Sequence, residues 1–195
     1  MQDPFAEVIE SSSIKIVAQC WNNDIIPSFG EFIAVRGETR TIYALVHYVH
    51  TDFGDMPRRP TPFKKTLAEL KREQPQIFEF LASTFMCIPI AYTRKAITIH
   101  ALPPEPPRIH EFIFPLTITE LEILFDKKYF LMHVFGMQQQ LSNIDELLLA
   151  CIRFVHQKKQ FPLPYYVDLL DTYALLVNNE YKRVKLFAQR LEKIL

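Results

Sequence analysis

The stretch Ala101-Leu-Pro-Pro-Glu-Pro-Pro107, followed by the apolar run Ile109 to Leu116, divides a chain of 195 residues into two parts with different periodicity. Four prolines within five residues cannot sit inside a helix or a central strand, so the segment reads as an extended connector feeding one more apolar strand. Before it the apolar residues recur with the period of strands; after it, with that of helices.

Working back from the connector, Met86 to Tyr92 and Ala96 to Ala101 read as a strand pair around Thr93-Arg94-Lys95. Nearer the start, Phe5 to Glu10 and Ile14 to Cys20 are short runs rich in β-branched residues on either side of Ser11-Ser12-Ser13, which suits a tight turn. Gly30 to Arg36 and Thr41 to Val49 form a second predicted hairpin around Gly37-Glu38-Thr39-Arg40. In the last of these strands Tyr43, Leu45, His47 and Val49 fall on one face and Ile42, Ala44, Val46 and Tyr48 on the other. Both faces are apolar, as expected for a closed barrel covered by other elements. Thr66-Leu-Ala-Glu69 has the form of a capping box, and Pro75 suits the first turn of a second helix through Ile77, Phe78, Phe80 and Leu81. A helical insert of one short and one longer helix, residues 66–84, is therefore expected between strands.

Working forward, Thr117-Ile-Thr-Glu120 is a second capping box, with Leu121, Leu124 and Phe125 on the apolar side of the helix it opens. Ser142-Asn143 caps another, whose Leu147, Leu148, Cys151, Ile152 and Val155 make a stripe. Phe161-Pro-Leu-Pro164 starts a third with Val167, Leu170, Ala174 and Val177, and Glu180 to Leu195 forms the last around Val184, Phe187, Leu191 and Leu195. The predicted fold is α+β: a small closed antiparallel β-barrel over residues 1–117, then a C-terminal helical bundle over 118–195. The absence of a Gly- or Ser-rich linker after Leu116 predicts that the two parts pack as one unit.

Composition bounds the function. Lys plus Arg and Asp plus Glu are both 22, so no global field holds nucleic acid or an anionic membrane, and 49% hydrophobic residues suffice for a proper core. The three cysteines, Cys20, Cys87 and Cys151, form no CxxC pair, which predicts buried reduced thiols rather than a disulfide framework or a zinc site. The start Met1-Gln-Asp-Pro-Phe-Ala-Glu7 reads as neither a secretory signal nor a transit peptide, which places the chain in the cytoplasm or a plastid stroma. The longest apolar runs fall short of the ~20 residues a spanning helix needs, so no membrane insertion is expected.

Catalytic signatures are lacking. The six histidines include no HxxxH pair, and His100 and His110, flanking the connector, would meet only if the strands bearing them paired. Glycines 30, 37, 54 and 136 are isolated, which excludes a phosphate-binding loop, and there is no G-x-S-x-G elbow. Glu120 with Glu122, and Asp145 with Glu146, lie at helix starts, where they favour the positive end of the dipole. No metal, cofactor or catalytic residue is predicted, and a hydrolase or ligand-binding barrel would need a convergent polar cluster that is not visible. Two candidate surfaces remain. Arg58, Arg59, Lys64, Lys65, Lys71 and Arg72, with Phe63 nearby and Glu69 opposing, could contact a phosphate backbone. Ile25 and Ile26, and on the other half Tyr165, Tyr166, Tyr173 and Tyr181 with Phe161 and Phe187, are candidates for protein contact.

Four segments together carry a resemblance. Ala6-Glu-Val-Ile-Glu10, the run Pro27 to Val35, Tyr43-Ala-Leu-Val46 and the run Pro103 to Phe114 resemble a HAS barrel, the small N-terminal β-barrel of HerA-type DNA translocases and of ATP synthase catalytic subunits. The insert Lys65 to Phe78 is also similar to short bacterial proteins, cyanobacterial ones among them, that carry this barrel without the ATPase domain. The resemblance covers residues 5–116. In the large relatives the barrel is non-catalytic and helps pack subunits into rings, while a following motor domain binds ATP; here helices follow instead. It implies a non-enzymatic assembly or adaptor module acting through a protein partner or self-association. The alternative is a nucleic-acid accessory protein using the local basic patch.

Overall fold

A computed structural model describes residues 3–53 and 62–195. Among these described residues seven strands form one sheet: β1 (Ala6–Ser11), β2 (Ile16–Cys20), β3 (Phe32–Arg36), β4 (Thr41–Asp52), β5 (Ala82–Arg94), β6 (Ile97–Ile99) and β7 (Phe112–Pro115). Every pairing is antiparallel, in the order β2-β1-β7-β3-β4-β5-β6, and β2 also pairs with β5, so six strands close a barrel and β6 hangs on β5 outside the ring. The run after the prolines supplies the closing strand, since β7 pairs with both β1 and β3. The connector before it is tied down: Arg40 donates to Glu105 Oε2 at 3.0 Å and to the Pro106 carbonyl at 2.8 Å, and Ser11 Oγ donates to the Pro107 carbonyl at 2.7 Å. His100 and His110 do not meet, because β6 pairs with β5 alone; His100 lies against Tyr129 and His110 against Glu7.

Alternation along the strands divides the barrel's side chains between two cores. Ala6, Val8, Ile16, Ala18, Ile33, Val35, Ile42, Ala44, Val46, Phe85, Cys87 and Ile113 fill the interior, which is thus packed with apolar side chains. Phe32, Ala34, Tyr43, Leu45, Ile88 and Ile90 point outward into a second core shared with the helices. Burial of β4 on both faces therefore has the predicted cause. Its face assignment shifts at one point: a bulge between Val46 and Tyr48 inserts His47, so Val49 joins the interior face and Tyr48 the outer one. Pro89 sits in β5 beside a second irregularity, where its missing N–H is tolerated.

The insert comprises α1 (Leu67–Glu73) and α2 (Gln76–Glu79), and the Thr66–Glu69 capping box forms as read, with Pro75 at the cap of α2. Two expectations are corrected. The insert stops before Ala82 rather than at 84, because Ala82 to Phe85 already pair with β4, and the second helix is the shorter one.

The C-terminal helices are α3 (Ile118–Asp126), α4 (Tyr129–Gly136), α5 (Ile144–Lys158), α6 (Leu163–Leu176) and α7 (Tyr181–Leu191). Thr117 closes its capping box with Glu120, and Asn143 caps α5. On α6 the buried face is Tyr166, Leu169 and Tyr173; of the expected stripe, Leu170 packs against the core and Val177 is buried, whereas Val167 is exposed. One apolar cluster joins both parts of the chain: Phe32 of the barrel packs edge-on against Phe125 (5.1 Å) and Phe130 (6.1 Å). Burying such a ring contributes about 1.5–3 kcal/mol. Among the described residues no helix is long and apolar enough to cross a membrane.

Candidate functional site

Leaving β2, the chain crosses one end of the barrel through Trp21 to Gly30, and the helical insert closes over the same end. Between them lies a groove of about 640 Å³ whose lining includes Trp21, Asn23, Ile26, Thr51, Leu67 and Lys71. The local sequence builds its wall. Asn22 Oδ1 accepts from Asp24 N at 2.8 Å, which folds the loop, and Asn23 Nδ2 donates to the Leu81 carbonyl at 2.6 Å, which ties the loop to the end of the insert. Trp21 stands edge-on to Phe112 at 5.0 Å and remains half exposed. Ile25 (57% exposed), Ile26 (37%), Leu67 (64%) and Phe80 (50%) leave apolar surface on this end of the barrel.

The groove unites two stretches that sequence reasoning treated separately, since Ile26 of the apolar loop and Lys71 of the basic stretch line it together. Lys71 Nζ lies 3.6 Å from Asp24 and 5.7 Å above the Phe78 ring. Of the other basic candidates, Lys65 pairs with Glu73 at 2.5 Å and Arg72 approaches the same carboxylate at 3.5 Å. Glu73 is therefore held below the ordinary carboxylate range, chiefly by Lys65. Opposition comes from Glu73 and Asp24, while the predicted opponent, Glu69, is occupied as the capping-box acceptor. Lys64 is exposed in a left-handed conformation (φ 54°). Arg58 and Arg59 lie outside the described residues.

The tyrosine surface is corrected. Tyr173 is fully buried, stacked on Phe187 at 4.0 Å with its hydroxyl donating to Asp145 Oδ1 at 3.0 Å. Tyr166 is buried and meets His156 at 2.9 Å, and Tyr165, half-buried, donates to the Phe125 carbonyl at 2.7 Å. Of the four, only Tyr181 is exposed, and Phe187 belongs to the core. A tyrosine packs as a core residue once its hydroxyl has a partner.

The helix-start carboxylates bind helices to one another. Asp145 receives both Nε and Nη2 of Arg183 (2.9 and 2.7 Å), and Glu146 receives both terminal nitrogens of Arg190 (2.6 and 2.7 Å). Glu122 pairs with Lys159 at 2.6 Å. The thiols of Cys20, Cys87 and Cys151 are free and buried, and burial raises all three, Cys20 to about 11, which disfavours the reactive thiolate. Among the described residues no group of three His, Cys, Asp or Glu side chains could hold a metal ion. Compared with protein-family models and with curated proteins, the chain matches none.

Proposed function

We propose that this chain is a non-enzymatic assembly or adaptor module acting through protein–protein contact, with the barrel's edges and the apolar loop Ile25-Ile26-Pro27 as its self-association side. The observation that carries this reading is the exposed apolar set Trp21, Ile26 and Leu67, which lines one groove at an end of the barrel, with exposed Ile25 and Phe80 next to lining residues in the chain. Apolar side chains that share one groove offer a contiguous surface of the kind a partner buries. The HAS-barrel resemblance of residues 5–116 points the same way, because such barrels pack subunits together. The packed interior favours an interaction role over ligand binding inside the barrel.

Nucleic-acid binding is the less favoured reading. Lys65, Lys71 and Arg72 each lie within ion-pair distance of Glu73 or Asp24, which weakens the local positive field.

Native mass by light scattering over a dilution series tests the proposal. The wild type is expected above monomer mass at high concentration, and Ile26→Asp, which places a charge in the apolar rim, is expected to lower it. Equal masses for the two proteins at every concentration would remove this loop from the interface.

A further inference from the structure

We infer that a second copy of this chain pairs with the first along β4, edge to edge and antiparallel, about a two-fold axis at Val49. This rests on the assembly reading above and names its partner and register.

The ladder between β3 and β4 covers Thr41 to Leu45, and Gly30 and Glu31 extend it by bonding Val46 (2.9 Å each). From His47 to Thr51 the only strand paired with β4 is β5, so among the described residues the opposite edge of these five has no strand beside it. An open edge takes another extended backbone. Natural edges are usually guarded by lysine, proline, a bulge or a shortened strand; Tyr48-Val-His-Thr51 contains neither lysine nor proline, and the bulge at His47 stands at the start of the stretch, leaving Tyr48 to Thr51 in regular register with β5. The edge also adjoins the proposed interaction side. Thr51 lines the groove with Ile26, and His47, Tyr48 and Val49 line a neighbouring depression of about 310 Å³ between Phe29 of the same loop and the start of α5 at Leu141 to Asn143 and Leu147.

Two identical edges meet most simply in an isologous antiparallel pair. Centring it on Val49, the middle of the open stretch, sets Tyr48 of each copy across from His50 of the other and His47 across from Thr51. No carboxylate or ammonium is then placed opposite its like. Tyr48 and His50 already stack within one chain at 6.1 Å and are both exposed, so pairing builds a four-ring cross-strand cluster on the outer face.

Single variants Tyr48→Cys and His50→Cys, mixed and oxidised, test the register; the native thiols are buried. Residues directly opposite in an antiparallel pair have Cα atoms about 4.5–5.5 Å apart, within disulfide reach. The mixture is expected to give a covalent dimer that neither variant gives alone, with Ile97→Cys, exposed on β6, as the negative control. Tyr48→Lys/His50→Lys, which opposes like charges across the axis, is expected to weaken dimerisation at least ~10-fold with an unchanged circular dichroism spectrum. A dimer that yields no mixed cross-link and is insensitive to the double lysine variant would overturn this interface while leaving assembly intact. A wild type that stays monomeric at all concentrations would overturn both.

Discussion

Gly30 and Cys151 are in backbone contact: a Cβ on Gly30 would lie 2.6 Å from the Cys151 amide nitrogen and 2.7 Å from the Ala150 carbonyl carbon. The glycine has φ +85° and donates to the Val46 carbonyl at 2.9 Å, so it begins the β3 ladder and lets α5 settle on the barrel. Alanine there meets both the left-handed penalty and an unyielding helix backbone. Gly30→Ala is expected to cost about 2–4 kcal/mol, read by urea unfolding. Gly37→Ala, whose Cβ would meet only the mobile end of Glu111 at 2.6 Å, is expected to change stability by less than about 1 kcal/mol. Equal losses would mean that the close approach to α5 is not what makes Gly30 necessary.

Burial holds His47 below its ordinary 6.5, and the side chains around it, among them Phe29, Leu141, Ser142, Asn143 and Leu147, carry no charge. A group depressed on folding contributes stability that is fully present above pH 6.5 and is lost as pH falls through its lower folded value. His100, lowered first by burial and then by His133, acts in the same direction. The melting temperature is therefore expected to fall between pH 7 and pH 5, and His47→Gln is expected to flatten that fall. An acid limb of undiminished slope in His47→Gln would assign the loss to other groups.

Asp145 and Glu146 each take a two-nitrogen bond from an arginine of α7, yet their settings differ. The Asp145 side chain is 26% exposed and also accepts the buried Tyr173 hydroxyl, whereas that of Glu146 is 47% exposed and bonds Arg190. Asp145→Ala leaves a buried hydroxyl without its acceptor and is expected to cost about 2–3 kcal/mol. Glu146→Ala is expected to cost less than about 1 kcal/mol, as exposed pairs do. Chemical denaturation of the two variants checks the ratio, which equal costs would contradict.

The four tyrosines show where periodicity stopped informing. Tyr166 and Tyr173 line the buried face of α6, but when tyrosine is counted as amphipathic, Val167 and Ala174 make an equally regular stripe one position along. What decides between them is a partner for each hydroxyl, Asp145 or His156, supplied by α5 and invisible in local spacing. Tyr173→Ala is accordingly expected to cost about 3–5 kcal/mol in denaturant unfolding. Tyr181→Ala, at a position 73% exposed, is expected to fall within about 0.5 kcal/mol of wild type.

Strands and caps were legible because their signals are local. The alternation in Ile33 to Val35 and Ile42 to Val46, the prolines of the connector and both Thr-x-x-Glu boxes each act within a few residues. The start of β5 was hidden by the aromatic residues Phe78 and Phe80 leading into it. The groove was hidden for a different reason: Ile26 and Lys71 meet only because the barrel brings the β2–β3 loop and the insert to one end. The bulge at His47 likewise depends on β5, against which β4 must curve.

The two capping boxes are alike in sequence but not in tertiary role, which separates local from long-range stabilisation. Among the described residues the exposed Glu69 bonds only Thr66, whereas Glu120 caps α3 through Thr117 N (2.9 Å) and also accepts from Arg36 Nη2 of β3 at 3.2 Å and from the Tyr43 hydroxyl of β4 at 3.4 Å. Burial, with Glu120 adding to it, pushes Tyr43 up to about 12, so its hydroxyl stays protonated as a donor at neutral pH. Glu69→Ala removes a cap from an exposed helix and is expected to cost about 0.5–1 kcal/mol. Glu120→Ala removes the cap and leaves Arg36 and Tyr43 without their acceptor at the joint between barrel and helices, so about 2–4 kcal/mol is expected. Glu120→Gln keeps an acceptor for the cap and for Tyr43 but loses the charge facing Arg36, and should fall between wild type and Glu120→Ala. If Glu120→Ala cost no more than Glu69→Ala in urea unfolding, the ties to Arg36 and Tyr43 would be contributing nothing, and apolar packing of Phe32 against Phe125 and Phe130 would account for the joint alone.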